Sequence, residues 1–203
     1  FEDYSGIEKG ARLKLGAGRA VQAVYRWTYA RLRRAMGDLP HELPHQLELR
    51  RLAAPWFNSR LDGGEGDMLV GKALWAHQQK KAHMICELSP YSCMPNTMSV
   101  GAMAGVIGRH PDLLYAPLEI KGDAEVHALS RCQMILTEAK KRAQREFDEV
   151  LQRTGLTEGE VRAYIDQHPE MKKATYAIPH DGTAAGTAAK TVLHVAKRLG
   201  RKS

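Results

Sequence analysis

Two short apolar runs, each flanked by helical patterns, constrain the fold of this chain more than any other feature. The first, AHMICEL, spans residues 82–88, and the second, LLYAPLEI, spans residues 113–120. Apolar runs of this length without polar alternation are typical of strands that are buried on both faces of a parallel sheet. The order helix, strand, helix, strand, helix therefore predicts an α/β fold with right-handed crossovers.

Helical patterns also extend on both sides of this region. Apolar residues recur near helical spacing from Arg19 to Met36, and a longer pattern runs from about Ala124 to Arg153. Thr157 followed by Glu160 is a capping-box pattern that opens a further helix. We therefore expect three parts: a helical segment at 1–62, an α/β core at 63–153 and a helical segment at 154–203.

The composition indicates a globular chain in a reducing compartment. Of its 203 residues, 43% are apolar and 26% are charged, and no apolar run approaches the roughly 20 residues of a membrane span. The three cysteines are an odd number, and two of them, Cys86 and Cys132, fall in a strand and a helix pattern. A disulfide framework is therefore not expected, and we predict a cytoplasmic protein with no membrane partner.

The net charge of +7 raises the question of nucleic acid. The excess lies on helical surfaces such as RWTYARLRR and in the tail AKRLGRKS, without zinc-finger spacing or basic stretches interleaved with stacking aromatics. Nucleic acid is therefore not the favoured partner. A non-catalytic binding module, which docks a protein or a nucleic acid through basic helices, remains an alternative function.

The loop SPYSCMPN places Cys93 between the first strand and the next helix. In parallel α/β sheets, ligands bind beyond the carboxyl ends of the strands. The positive end of a helix favours the thiolate, which is the form that binds metal or attacks carbon. A loop cysteine without a role is the simplest alternative. Another is a nucleophile with His83 or His127 as its base, although no motif pairs a base with this thiol.

The nine histidines of the chain are scattered. The sequence contains neither the HExxH pattern nor a cluster of histidines and cysteines at the spacing of zinc ligands. The sequence therefore gives a zinc site little support.

One long stretch, with the segment upstream of it, resembles a known family. The stretch ELSPYSCMPNTMSVGAMAGVIGRHPDLLYAPLEIKGDAEVHALSR follows GEGDMLVGKALWAHQQKKAHMI. Together they resemble the C-terminal half-domain of the 2-hydroxyacyl-CoA dehydratase superfamily, over about residues 63–143. The shared frame is a Gly-Glu-Gly turn, a helix, a strand, a Pro-aromatic-x-Cys loop, a helix and a second strand that ends near an acidic residue. The chain is most similar to the large CoA-activase-related proteins, in which a dehydratase-like part is fused to an ATP-dependent activase.

The resemblance implies a flavodoxin-like parallel sheet, here partial, with additional long helices at both ends. In that superfamily three cysteines per subunit hold an iron-sulfur cluster, of the 4Fe-4S or double-cubane type, and Cys93 matches the ligand from a loop after a strand. Ser92 and Asn96 would then hydrogen-bond cluster sulfides or substrate. The implied chemistry is low-potential electron transfer to an acyl-CoA. The implied partners are an ATP-dependent activase and the remaining dehydratase-like domains.

The chain departs from the family pattern in its cysteines. The resemblance places the other two cluster ligands in domains upstream of Phe1, and neither Cys86 nor Cys132 lies in a suitable loop. No activase ATP-binding motif is present either. We therefore expect one part of a lyase or reductase, incomplete alone, whose cluster is shared with residues outside this chain.

Overall fold

The computed structural model describes residues 11–58, 64–122, 125–184 and 187–201. Contacts between these residues define two compact units. The first unit comprises the described residues of 1–43 together with 168–177, and the second comprises those of 44–167 and 178–203.

The first unit is built on one long helix, α1 (Ala11–Ala35). The segment after α1 is tied back to it by Arg33, whose Nε donates to the Pro40 carbonyl at 2.7 Å, and by Tyr29, whose hydroxyl donates to the His41 carbonyl at 2.7 Å. Gly37 makes this turn possible, because its φ is 68° and a Cβ there would overlap the backbone carbonyl of Thr175.

The second unit has an α/β core with helices on either side of it in the chain. Its elements in order are α2 (Gln46–Ala53), α3 (Gly66–Gln78), β1 (Ile85–Pro90), α4 (Met94–Arg109), β2 (Tyr115–Ile120), α5 (Glu125–Thr154), α6 (Glu158–Gln167) and α7 (Ala188–Arg198).

The mixed α/β architecture expected from the sequence is confirmed. Strands β1 and β2 pair in parallel, from Ile85 opposite Tyr115 to Pro90 opposite Ile120, and α4 makes the crossover between them. The start expected for α5 at Ala124 lies outside the described residues. The capping box at α6 is also present, since the Thr157 N–H donates to Glu160 Oε2 at 2.7 Å and the Glu160 N–H donates to Thr157 Oγ1 at 3.2 Å.

One hydrophobic cluster of this unit lies between α2, α3, α4 and the start of β2. Val70 and Leu74 on α3 and Met103 and Val106 on α4 are fully buried there. The spacing of three or four residues within each pair puts its members on one helical face. Gly71 lets α3 approach α2 closely, because a Cβ at this position would overlap the backbone of Leu49.

Strand β1 is buried on one face only, contrary to the expectation from its apolar run. Glu87 is buried on the face toward the core, whereas Leu88 on the opposite face is 64% exposed. Helix α5 packs against β2, so Ala116 and Leu118 on that second face are buried. An apolar sequence allows a strand to be buried on both faces, but burial also needs another element that packs over each face.

A buried carboxylate ties β1, α4 and β2 together. Glu87 on β1 accepts hydrogen bonds from Asn96 Nδ2 at 3.0 Å and from the Ser99 hydroxyl, both on α4. It also accepts one from the Tyr115 hydroxyl on β2 at 2.6 Å. Three donors satisfy a charge that would otherwise be costly to bury. Burial, followed by the interaction with Glu87, raises the pKa of the Tyr115 phenol.

Replacing Tyr115 by Phe tests this network. The substitution removes one donor to a buried carboxylate, and bonds to charged groups are worth about 1.5–3 kcal/mol. We expect the free energy of unfolding in urea at neutral pH to fall by about that amount. Tyr25→Phe is the matched control, because it removes the same atom from a side chain that is 62% exposed. Equal effects of the two substitutions would contradict the role given to the network.

The Tyr115→Phe and Tyr25→Phe variants should also differ in how their free energy of unfolding depends on pH. Since the pKa of Tyr115 is raised in the folded state, the unfolded chain releases this proton at lower pH than the folded chain. The stabilisation is complete below the ordinary tyrosine pKa of about 10 and is lost as pH rises above it. Tyr115→Phe should therefore make the free energy of unfolding fall less steeply with pH in this alkaline range.

Candidate functional site

The structure places Cys93 at the corner where β1 leads into α4. Cys93 is the N-cap residue of this 16-residue helix, with an extended backbone, and its side chain is half-buried. Its carbonyl accepts hydrogen bonds from the Thr97 N–H and from the Thr97 hydroxyl, both at 2.9 Å. Its own N–H donates to the Pro90 carbonyl at 3.2 Å. The thiol therefore lies at the carboxyl end of a parallel strand and at the N-terminus of a helix.

Ser92 and Asn96, the two residues expected to accompany Cys93, lie in different environments. Ser92 is exposed and has a φ of 59°, which is uncommon for a residue with a side chain, and its N–H donates to Glu119 Oε1 at 3.3 Å. Asn96 is buried, and its amide nitrogen donates to Glu87. The Asn96 side-chain amide thus anchors the first turn of α4 to the core. This is the same amide that was expected to hydrogen-bond a cluster sulfide or a substrate.

The other two cysteines lie together, away from this corner. Cys86 is on β1 and interacts with the thiol of Cys132 on α5. Cys86 is exposed overall, but partial burial of its thiol, with a further contribution from Cys132, raises its pKa. The two thiols therefore lie between β1 and α5, and the structure does not group them with Cys93.

A basic cavity lies at the carboxyl end of β2. Its volume is about 340 Å³, and it is lined by Lys121, His127 and Arg131 together with Glu119. Glu119 also binds the Ser92 N–H, so the cavity adjoins the Cys93 corner. The positive side chains make this a place for an anionic group at the strand ends, where α/β proteins bind ligands.

A second group of polar side chains lies at the opposite end of the sheet. His77 is in the last turn of α3, His110 caps the C-terminus of α4, and Asp112 lies in the turn before β2. The His77 Nε2 atom is 3.3 Å from Asp112 Oδ2, and the two imidazole rings are 5.9 Å apart at 69°. Sequence reasoning missed this group because helix packing, rather than local spacing, brings its members together.

Beside this group lies a cavity of about 410 Å³, lined in part by His83, Glu146, Lys80 and Arg142. The His83 Nε2 atom is 3.1 Å from Glu146 Oε2, and among the described residues neither of these buried atoms makes an aligned hydrogen bond. His83 precedes β1 whereas Cys93 follows it, and a six-residue strand spans about 20 Å. His83 therefore does not act as a base for Cys93.

Three comparisons with known proteins gave no match, whether with family models, with curated proteins or with solved structures. Within the described part of the chain, no helix has both the length and the apolar character needed to span a bilayer.

The pKa of Cys86 gives a testable difference between the thiols. A raised pKa leaves less thiolate at neutral pH, so the alkylation rate of Cys86 should rise only at higher pH than that of a small thiol. Cys132→Ala removes one cause of the shift and should move the Cys86 profile back toward lower pH. The measurement is iodoacetamide labelling of the folded chain across a pH series, read by mass spectrometry at each cysteine.

Urea-unfolded protein is the control for this labelling, because all three cysteines should then titrate alike. If Cys86 in the folded chain follows the profile of the unfolded chain, the interaction between Cys86 and Cys132 is absent in solution.

Proposed function

We propose that this chain supplies Cys93 as one ligand of an iron-sulfur cluster in an assembly of the 2-hydroxyacyl-CoA dehydratase type. The observation that carries the proposal is the position of Cys93, a half-buried thiol at the N-terminus of α4 and at the carboxyl end of β1. A cluster with thiolate ligands carries negative charge, which the N-terminus of a helix stabilises. When bound, the cluster supplies the low-potential electron for the reaction of an acyl-CoA.

The cysteines of this chain can supply one thiolate ligand of a cluster, Cys93. Cubane clusters are held by several thiolates, and Cys86 and Cys132 lie together against α5 instead of beside Cys93. The remaining ligands must therefore come from another domain or subunit. This agrees with the proposed partners, an ATP-dependent activase and further dehydratase-like domains in a reducing cytoplasm.

The sheet supports a larger, flavodoxin-like arrangement. The described residues form a sheet of two parallel strands, whereas parallel sheets are usually larger and covered on both faces. Leu88 and Ile120, on the second face, are 64% and 53% exposed. Further strands or helices from partner domains would cover these side chains and complete the sheet.

The basic cavity at the end of β2 supports an anionic substrate. Lys121, His127 and Arg131 would bind phosphate groups such as those of coenzyme A. Through Glu119 the cavity is linked to the backbone of Ser92, next to Cys93. A bound substrate and a cluster ligand would then lie at the same end of the sheet.

Replacement of Cys93 in the intact assembly tests the proposal. Under anaerobic conditions, the wild-type assembly reconstituted with iron and sulfide should bind iron and show the visible absorbance of a cluster. Cys93→Ala should lower both the iron content and the absorbance, because one of the few thiolate ligands is lost.

The matched controls are Cys86→Ala and Cys132→Ala, which remove thiols from the face toward α5. Neither should change the iron content or the absorbance of the assembly. Unchanged iron in Cys93→Ala, or equal losses in all three variants, would reject Cys93 as the specific ligand.

A second candidate function, docking through a basic helix, rests on the surface of α1. No residue of α1 whose side chain is described is buried, and Val21, Val24, Tyr25 and Leu32 are each more than 60% exposed. The helix contains no acidic residue, and its sequence carries basic side chains along its length, ending with Arg33 and Arg34. An amphipathic helix normally buries its apolar stripe, so we infer a protein partner with an apolar groove and an acidic rim.

Two double variants separate a protein partner from nucleic acid. Val24→Ser with Leu32→Ser changes the apolar stripe, and Arg26→Gln with Arg34→Gln removes charge. A groove in a protein uses both features, so both double variants should release the partner domains from the purified assembly. Oligonucleotide binding that falls steeply with salt and survives the apolar changes would instead show a nucleic-acid surface.

A further inference from the structure

We propose that His77, His110 and Asp112 form a binding site for a divalent transition metal, with zinc as the best match. Each residue offers one ligand atom, and within the described residues these three atoms lie within 4.8 Å of one another. The site lies before the strands, at the end of the sheet opposite Cys93, and does not depend on the iron-sulfur proposal.

The distances in this group, which we call the His-His-Asp group, suit a tetrahedral metal. Zinc binds imidazole nitrogen and carboxylate oxygen at about 2.0–2.2 Å, which places neighbouring ligands of a tetrahedron about 3.3–3.5 Å apart. The His77 Nε2 to Asp112 Oδ2 distance is 3.3 Å, the length of one such edge. The rings of His77 and His110 meet edge to face and not stacked. Small side-chain rotations would bring the third ligand atom, a ring nitrogen of His110, to the same distance from the ligand atoms of His77 and Asp112.

The backbone that carries the group is held in place without a metal. The His110 N–H donates to the Val106 carbonyl at 2.9 Å, and the His110 carbonyl accepts from the Leu113 N–H at 2.9 Å. Arg142 on α5 donates to the backbone carbonyl of Asp112. Because the backbone on both sides of the site is fixed, binding a metal would order only the three side chains.

The donor set selects among metals. Two imidazoles and one carboxylate suit zinc and its neighbours in the first transition row, whereas magnesium and calcium prefer oxygen ligands. The His77 and Asp112 side chains contact each other directly, and a metal would bind between the same two atoms.

Three protein ligands leave a coordination position open, as in zinc sites that bind a water or a substrate. The group borders the cavity of about 410 Å³, which Lys80 and Arg142 also line. The Lys80 ammonium donates to the Gly182 carbonyl at 2.8 Å, and the Arg142 Nε atom lies 3.5 Å from Glu138 Oε1. With the metal in place, its charge together with these two cations would outweigh the carboxylate of Glu146 on the same cavity and would favour an anion, such as a carboxylate or phosphate, as the exogenous ligand.

Calorimetric titration of the metal-free chain tests the site directly. We expect about one zinc ion per chain to bind, and magnesium not to compete. His77→Ala, His110→Ala and Asp112→Asn should each weaken zinc binding by about tenfold or more. His180→Ala, which removes an exposed histidine outside the group, should leave the affinity unchanged. Far-ultraviolet circular dichroism of each variant shows whether it is folded, and His77→Gln serves if His77→Ala is not.

Cobalt distinguishes this group from the cysteines. Cobalt bound to two imidazoles and a carboxylate should give the visible bands of a four- or five-coordinate ion without thiolate-to-cobalt charge transfer. Dominant charge transfer would assign the metal to the cysteines and overturn the proposal. So would zinc affinity that is equal in the wild type and in the His77→Ala, His110→Ala double variant, or that falls equally in His180→Ala.

Discussion

The buried carboxylate of Glu87 holds the core of the second unit in register. It lies on β1 and accepts hydrogen bonds from Asn96 and Ser99 on α4 and from Tyr115 on β2. A charge inside a protein is tolerated only when donors surround it, so these three elements can pack in few other ways. The position of the first turn of α4, and with it the position of Cys93, follows from this constraint.

The sheet that Glu87 organises has two chemically different ends. Beyond the carboxyl ends of the strands lie Cys93 and the basic cavity, and before the strands lies the His-His-Asp group. The two ends are separated by the length of the strands, about 20 Å. A ligand at one end of the sheet therefore does not contact the other end, and each proposed site can be tested independently of the other.

Much of the local structure could be predicted from sequence. The apolar runs and helical patterns predicted the parallel strand pair, and Thr157 with Glu160 predicted the start of α6, because these signals depend on neighbours in the chain. The exposure of Leu88 could not be predicted, because it depends on what covers the strand. The orientation of Asn96 could have been predicted, since Asn96 and Ser99 lie at helical spacing from the apolar residues Met103 and Val106. The structure buries all four.

The candidate sites show the same division. Cys93 was found because a strand-to-helix corner can be recognised locally, whereas His77 and Asp112 meet only once α3 and α4 have packed. No spacing rule covers such a pair, which is set by the crossing of two helices.

The narrow sheet has a consequence for how copies of the chain behave toward one another. In the described residues both strands are edge strands, so each presents a row of N–H and C=O groups that no ladder satisfies. On β1 that row lies next to the exposed side chain of Leu88. Such an edge pairs readily with another edge, so two copies of the chain could join edge to edge. Self-association through this edge would then limit the concentration at which the chain stays monomeric.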